Sequence, residues 1–481
     1  MKRKGFSTTE NTERTEVDAV GSGRSVANTE DLPDGFQMTE LGPLPKEWRV
    51  VRLGEVLYEV PRAHRQVKIV DNELYTRIAT KLYGYGIAAK ELVRGSQIAS
   101  KEMYRTQPGD FLFSKINIKK GAFGVVPPHL TNAVVTQEHP ILRPKDDMLH
   151  VNYLDYYLKQ PHTWERFKVH AKGFSGKERV KVREFLSVPI PLPPLPEQRA
   201  IAHVLRTVQW AKEATEGVIA ALKELKKSLM QHLFTYGPVP VTERERVPLQ
   251  ETEIGPLPAH WRVVRLGEVA LLERGLSWSK ADEGSNGIGV LSIPDILTNG
   301  RLNPFPRVHL SKQVTSNKLL VKGDILLVGS SGSAENVGRS GILREEPTSP
   351  LAFASFTIRL RGKPDALLQE FAFYLIQSSW IDFAHFSKRA ADGKYNLQLR
   401  QLQSAFIPLP PLEEQREIAR MLQAVDTRIA AEQARRAALE ELFKSLLHEL
   451  MSGQIRLPNI VGGQRSRDSA PNADPLPELE D

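Results

Sequence analysis

The sequence predicts an α+β fold built twice: two globular domains joined by two long helices that form an antiparallel coiled coil, related as a pseudo-two-fold internal repeat. Three observations predict it. A series of motifs returns in the same order about 215 residues later. The first part of each copy mixes short strand-like runs with turn signals. Each copy then closes with a long stretch of apolar residues at 3–4 spacing.

The repeat is read directly from the residues. Leu41-Gly42-Pro43-Leu44-Pro45, Trp48 and Arg49-Val50-Val51-Arg52-Leu53-Gly54-Glu55-Val56 return 213 residues on as Ile254-Gly255-Pro256-Leu257-Pro258, Trp261 and Arg262-Val263-Val264-Arg265-Leu266-Gly267-Glu268-Val269. Gly109-Asp110 returns as Gly323-Asp324 at an offset of 214. Gly176-Lys177, Arg183, Ile190-Pro191-Leu192-Pro193-Pro194-Leu195 and Glu197-Gln198-Arg199 return at 217 as Gly393-Lys394, Arg400, Ile407-Pro408-Leu409-Pro410-Pro411-Leu412 and Glu414-Gln415-Arg416. An ordered series whose offset drifts by only four residues marks a duplication.

The repeat divides the chain. Residues 36–195 and 254–412 are the globular domains, 196–236 and 413–452 the long helices, and 237–253 a linker. The polar ends, 1–35 and 453–481, lack periodic apolar positions and are expected to be disordered. Within the domains, Pro108-Gly109-Asp110 before Phe111-Leu112-Phe113 is a turn feeding a buried strand. Lys322-Gly323-Asp324 before Ile325-Leu326-Leu327-Val328 is another. Asp110 and Asp324 read as turn-closing residues. Phe353 to Leu360 alternates like a strand, and Tyr153 to Gln160 and Leu367 to Gln377 look like short helices.

The Pro-Leu-Pro-Pro-Leu segments cannot be helical inside and act as rigid stops. Beyond the first, a seam runs through Ile201, Val204, Val208, Ala211, Thr215, Val218, Leu222, Leu225 and Leu229. The second helix repeats it at Ile418, Met421, Val425, Leu439, Leu442 and Leu446, but Arg428, Glu432 and Arg435 occupy the middle. Such a helix is roughly 55–60 Å long. It carries the chain away from the first domain, so the second domain belongs near its far end and the second helix must return antiparallel.

Composition narrows the function classes. The 481 residues suit two or three domains. No apolar run approaches the length of a membrane span, and no apolar stretch follows Met1-Lys2-Arg3-Lys4-Gly5 as a secretion signal requires. The absence of cysteine excludes disulfides and cysteine–zinc sites, and fits a reducing cytoplasm. A formal charge of +8 favours polyanionic partners but decides little on a chain this size.

No catalytic constellation is evident. Gly173-Phe174-Ser175-Gly176-Lys177 is too short for a phosphate loop and continues into Glu178. The histidines are scattered and form no helical zinc pair. Asn303-Pro304-Phe305-Pro306 reads as a turn. More informative are basic segments interleaved with aromatic, amide and hydroxyl residues. The first domain offers Lys81 and Tyr83 beside Tyr85; Lys115, Asn117, Lys119 and Lys120; and Lys172, Lys177 and Arg179. The second offers Arg274, Trp278 and Lys280; Ser330, Ser331 and Arg339; and Lys388, Arg389, Lys394 and Tyr395. Lys and Arg neutralise phosphates, while Arg, Asn, Gln and Ser read base edges. Each segment alone could be a solvated loop. Their weight comes from position: 115–120 corresponds to 330–339 and 170–183 to 388–396. The framework between the copies is kept while these loops diverge, which would suit two different half-sites.

With these motifs in place, the chain resembles the specificity subunit of Type I restriction-modification systems. The carriers are the duplicated Pro-Leu-Pro-Pro-Leu-x-Glu-Gln-Arg lead-in to each helix, the Trp48 and Trp261 openings with Leu-Gly-Glu-Val, and Phe353 to Leu360. Tyr83-Gly84 with Gln107 to Lys115 resembles one variety of target recognition domain, and Gly275 to Lys280 with Gly289-Val290-Leu291 another. The resemblance spans about residues 40–455. It implies that each globular domain reads one half of a bipartite, asymmetric site in double-stranded DNA. It implies that the helices set the spacing and dock two modification (methyltransferase) subunits, with restriction subunits completing an ATP-dependent nuclease. S-adenosylmethionine, ATP and Mg are then expected in those partners, not in this non-catalytic, cytoplasmic chain. The alternatives are a self-contained methyltransferase or nuclease and a coiled-coil protein scaffold. The target bases cannot be read from the loops without docking geometry.

Overall fold

A short hairpin opens each copy. In the computed structural model, which describes residues 32–457 except 101, 131, 171–177 and 379, Phe36–Thr39 pairs antiparallel with Gly42–Pro45, and Leu249–Thr252 pairs with Gly255–Pro258. In both hairpins a threonine hydroxyl bonds across the turn, Thr39 to the carbonyl of Gly42 and Thr252 to that of Gly255. The first strand of the second hairpin lies inside the stretch expected as linker, and its second strand opens the expected domain. Residues 237–253 therefore contain the first strand of the second copy, preceded by a 3₁₀ turn over Val241–Arg246.

The most conspicuous repeated motifs turn out to be neighbours. Arg49–Arg52 pairs with Pro189–Leu192, and Arg262–Arg265 pairs with Phe406–Leu409. The Pro-Leu-Pro segments are thus short strands before they are stops. Their prolines sit in two-stranded ladders, where a missing amide donor is tolerated.

The chain divides into two compact units, residues 1–210 with 439–481 and residues 211–438. In the first, a four-stranded antiparallel sheet has the order Leu57–Glu59, Ile141–Pro144, Phe111–Phe113, Phe123–Val125. In the second, Ala270–Arg274, Thr357–Gly362, Ile325–Val328 and Ser340–Ile342 repeat that order. Each unit adds a second sheet with one parallel pairing: Ala133–Val135 beside Leu74–Thr80, and Leu351–Phe353 beside the strand ending at Leu291. The central strands Phe111–Phe113 and Ile325–Val328 are buried at every residue, as their unbroken apolar runs require.

The alternating run Phe353 to Leu360 is not one strand. It splits at a turn where Thr357 bonds back to the carbonyl of Ala354 through both its amide and its hydroxyl. Leu351–Phe353 and Thr357–Gly362 then join different sheets, and Phe356 at the corner is exposed. A period of two cannot reveal such a corner, because it persists on both sides.

Asp110 and Asp324 do close their turns, accepting the amides of Gln107 and Val321 at 2.7 and 2.9 Å. Both are fully buried, and each meets an arginine from the neighbouring strand. Arg143 Nε lies 2.6 Å from Asp110, and Arg361 Nε lies 2.6 Å from Asp324. The ion pair supplies the compensation that a buried carboxylate needs.

The long helices span Leu195–Tyr236 and Leu412–Ser452. Each is followed by a glycine in left-handed conformation, Gly237 and Gly453, which is the usual C-terminal stop. Just past that stop, residues 453–457, expected as tail, carry Arg456, which pairs with Glu197 and Glu47.

The seam differs from the expected one by one residue at every second position. The first helix turns inward Ile201, Leu205, Thr215, Ile219, Leu222, Leu229 and Leu233, while Val218 and Leu225 are exposed. The 3–4 alternation is kept, but Lys212 and Lys226 occupy two of its positions and disguise them. In the second helix the seam passes through Ile418, Leu422, Ile429 and Glu432, so the apparent break in the middle is real only in polarity. Arg428 and Arg435 lie outside the seam and flank the Glu432 carboxylate at 2.7 and 3.8 Å.

Candidate nucleic-acid interface

In the second unit, a small three-stranded sheet gathers residues from distant loops. Ser330–Ser331 pairs with Tyr395–Leu397, which pairs with Ser387–Arg389. Residues paired across a ladder share a face. Ser330, Asn396 and Lys388 therefore lie on one face, and Ser331, Tyr395 and Arg389 on the other. Arg389 covers the Tyr395 ring at 5.9 Å. The hairpin tip turns at Gly393, whose φ of +84° favours glycine there. Lys394 sits at the tip with its ammonium 3.5 Å from Asp392. Lys388, Arg389 and Lys394 are all exposed. Cations at the rim with hydroxyl, phenol and amide groups between them can engage phosphates and base edges together.

Arg274 belongs beneath this sheet. Its guanidinium donates to the carbonyl of Leu397 at 2.6 Å and to that of Ser355 at 3.3 Å. Burial lowers its pKa from the ordinary arginine value. These two bonds anchor the strand Tyr395–Leu397 to the segment of Ser355. Arg339 donates to the carbonyl of Ile293 and keeps a buried Nε without a partner. Trp278 and Lys280 belong to a different patch. The Trp278 indole donates to Glu283, and its ring packs with Val290, Leu310, Ala352 and Ala354. Lys280 is exposed on a 3₁₀ turn whose Asp282 is tied to Lys312 at 3.3 Å. No motif pointed to Lys312, because the contact joins residues 30 apart across a loop.

The first unit assembles its candidates around one turn. After the buried strand Phe111–Phe113 the chain makes a 3₁₀ turn over Ile118–Lys120 and leaves it through Gly121 in left-handed conformation. The loop of residues 81–86 docks on it: the amide of Tyr83 donates to Lys120 and that of Gly84 to Gly121, both at 2.8 Å. The later basic segment arrives from the other side, where the amide of Val180 donates to the carbonyl of Lys115. Lys119 pairs with Glu178, and Arg179 pairs with Glu138 at 3.1 Å. Lys115 donates to the carbonyl of Gln137, and its pKa is lowered, mainly by burial. Asn117 is half-buried, while Lys81, Tyr83 and Lys120 are exposed. Lys172 and Lys177 lie outside the described residues.

The two units thus agree in construction. In each, the segment following the buried Gly-Asp strand meets the later basic segment through backbone hydrogen bonds. The correspondence inferred between the loops, 115–120 with 330–339 and 170–183 with 388–396, becomes contact in both copies. Among the described residues no group of three metal-ligating side chains comes together, and no helix is long and apolar enough to cross a membrane.

Known proteins match along the same lines. The family model described as the Type I restriction modification DNA specificity domain matches twice, over residues 45–224 and 258–441. The Type I restriction enzyme MjaVIII specificity subunit of Methanocaldococcus jannaschii is 26% identical over 432 residues, covering 87% of this chain and 95% of that protein. The putative MjaX specificity subunit of the same organism is 25% identical, covering 88% and 97%. A crystal structure of the Type I restriction-modification S subunit from M. genitalium shares the fold, with a TM-score of 0.52 and 15% identity over 84% of this chain and 96% of that one.

Proposed function

We propose a division of labour for this chain from a plain premise: it belongs to the Type I restriction modification DNA specificity family, with the family domain present twice. The chain is a specificity subunit whose two recognition domains each read one half of a bipartite, asymmetric site in double-stranded DNA. The observation that carries this reading is the duplicated meeting of a serine- or asparagine-bearing segment with a basic segment, on a shared framework with divergent loops. Lys81, Lys120, Lys388, Arg389 and Lys394 act on phosphates, joined by Lys172 and Lys177. Asn117, Ser331 and Tyr395 face base edges. Lys115 and Arg274 hold the loops in place.

The long helices pair antiparallel, set the half-site spacing and dock two modification subunits. Two ion pairs support that pairing within the second unit. Glu216 lies 3.8 Å from Arg436, and ten residues further along, Lys226 lies 2.8 Å from Asp426, ten residues back. Within the first unit, Ile201 and Leu205 share a core with Leu450 and Met451. S-adenosylmethionine, ATP and Mg belong to the modification and restriction subunits, and the assembly works in the cytoplasm. This chain contributes recognition and no catalysis.

The test is to sequence the host's DNA for modified adenines and to offer the resulting site to the purified assembly. The assembly is expected to prefer that site over scrambled long duplexes, and salt is expected to weaken the binding steeply. Equal affinity for both duplexes overturns the reading. Methyl transfer by this chain without partners would point instead to a self-contained enzyme.

A further inference from the structure

One aromatic side chain in the first unit is presented to solvent at a backbone cost. Tyr83 has a φ of +59°, a left-handed conformation that bulky residues avoid. Gly84 and Gly86 follow with φ of +72° and +74°. The resulting loop is pinned on several sides. Lys81 donates to the carbonyl of Gly86, Tyr83 to Lys120 and Gly84 to Gly121. The Tyr83 ring tilts against Trp164 at a centroid distance of 6.4 Å, and the Trp164 indole is itself fixed to the carbonyl of Leu158 at 2.7 Å. Tyr85 closes the turn made by Tyr83 and Gly84, its amide donating to the carbonyl of Leu82, and is 77% exposed. An exposed turn position ordinarily carries a small polar residue. Here a pinned loop instead presents a phenol ring, and the same loop carries the exposed Lys81 and docks its backbone on the exposed Lys120.

We propose that Tyr85 inserts at a base step of the half-site read by the first domain and stacks on the base it exposes, with Lys81 and Lys120 on the flanking phosphates and Tyr83 as the strained corner that aims it. This rests on the reading of that domain as a DNA reader. A planar ring on a fixed loop suits insertion, because little rotational freedom is lost on contact and the new stack offsets the unstacking of the base step. The exposed Lys81 on this loop and Lys120 on the turn beneath it favour a polyanionic surface. The sequence alone could not separate the two tyrosines: both lie in one basic segment, and only the backbone assigns one to the corner of the turn and the other to its exposed closing position.

The test uses the chain assembled with its modification subunits and a duplex carrying the site read from the host's modified adenines. Each base of the first half-site is replaced in turn by 2-aminopurine. Wild type and Tyr85→Phe are expected to change the fluorescence at one position. Tyr85→Ala is expected to lose that change and to bind roughly 5- to 100-fold more weakly, the range for one base–aromatic stack. Tyr85→Ala with wild-type affinity and wild-type fluorescence overturns the proposal. So does a Tyr85→Ala chain that no longer assembles with the modification subunits, since the ring is then a protein contact. The Lys81→Ala, Lys120→Ala double variant separates the two claims. If it binds weakly while Tyr85→Ala binds normally, the stack alone fails; if both bind normally, the first domain is not a DNA reader at all.

Discussion

The indole Nε1 of Trp48 donates to the carboxylate of Glu197 at 3.0 Å, joining the start of the first domain to the first turn of the helix that ends it. Trp261 does the same to Glu414 at 2.9 Å. The two most recognisable residues of the repeated openings are therefore tied to the repeated Glu-Gln-Arg motifs. The following glutamines add matching anchors. Gln198 accepts the amide of His150 and donates to the carbonyls of Met148 and Pro193; Gln415 accepts the amide of Leu368 and donates to Ala366 and Pro410. The Glu-Gln pair is a clasp between helix and domain.

The clasp is not equally loaded in the two copies. Glu197 is 3% exposed and also holds Arg456 at 2.6 Å, whereas Glu414 shares its carboxylate with the exposed His260. Glu197→Ala leaves a buried indole N–H and an arginine without their partner, and is expected to destabilise the first unit by about 2–4 kcal/mol. Glu414→Ala is expected to cost about half as much. Thermal unfolding of the two variants decides it, and equal losses would show that Arg456 adds nothing.

Acid should loosen the first unit before the second. His139, His150 and His162 all have pKa values lowered from the usual 6.5, chiefly by burial. Arg199 and Arg206 add to the effect at His150, and Arg166 and His448 at His162. Buried Nδ1 atoms of His139 and His150 lack a hydrogen-bond partner. Unfolded histidines take up protons as pH falls through 6.5 while the folded ones resist, so the unfolded state binds more protons and stability drops. The stability is fully present above 6.5 and is lost below it. Melting temperature is expected to fall between about pH 7 and 5 by an amount that His139→Gln and His150→Gln reduce. An unchanged fall in the double variant would move the cause to other groups.

Much of this architecture is legible in the sequence because duplication prints the framework twice. The domain order, both long helices and the Gly-Asp turns are all marked by repeated residues. The loops that meet in the candidate interface are legible only as correspondences; that Ser331 pairs with Tyr395 depends on ladder register, which no spacing encodes. Lys312 and Arg456 are invisible for a related reason, since each acts on residues far along the chain. Arg274 looks like a phosphate ligand in a basic segment, and only its two carbonyl partners reveal a support.

The hairpin cations are expected to govern affinity more than choice of sequence. Lys388, Arg389 and Lys394 are exposed, and replacing all three by alanine should weaken binding alike on the modified site and on unrelated duplexes. The slope of log affinity against log salt is expected to flatten by up to about 3, close to one for each phosphate no longer neutralised. Arg274→Ala should behave differently, lowering discrimination within one half-site while the salt slope holds. Binding measured across salt concentrations separates these outcomes, and a flattened slope for Arg274→Ala would return that residue to the phosphates.

The helix seam gives the sharpest contrast between sequence and fold. Spacing alone selects Val218 and Leu225, yet Val218 is 42% exposed and Ile219 is buried. Ile219→Ala is expected to cost about 2–4 kcal/mol, the usual loss for a large aliphatic core residue. Val218→Ala should cost less than about 0.5 kcal/mol, as surface changes do. Glu432 extends the test, because its buried carboxylate has one oxygen with no hydrogen-bond partner while Arg428 and Arg435 reach it from the rim. A buried charge held this way is weak support, and Glu432→Leu is expected to leave stability unchanged or raise it by about 1–2 kcal/mol. Loss of stability in Glu432→Leu would mean that the carboxylate fixes the pairing of the helices. In that case the polar middle of the second helix specifies register, and Ile219→Ala and Glu432→Leu should then be non-additive in a double-variant cycle.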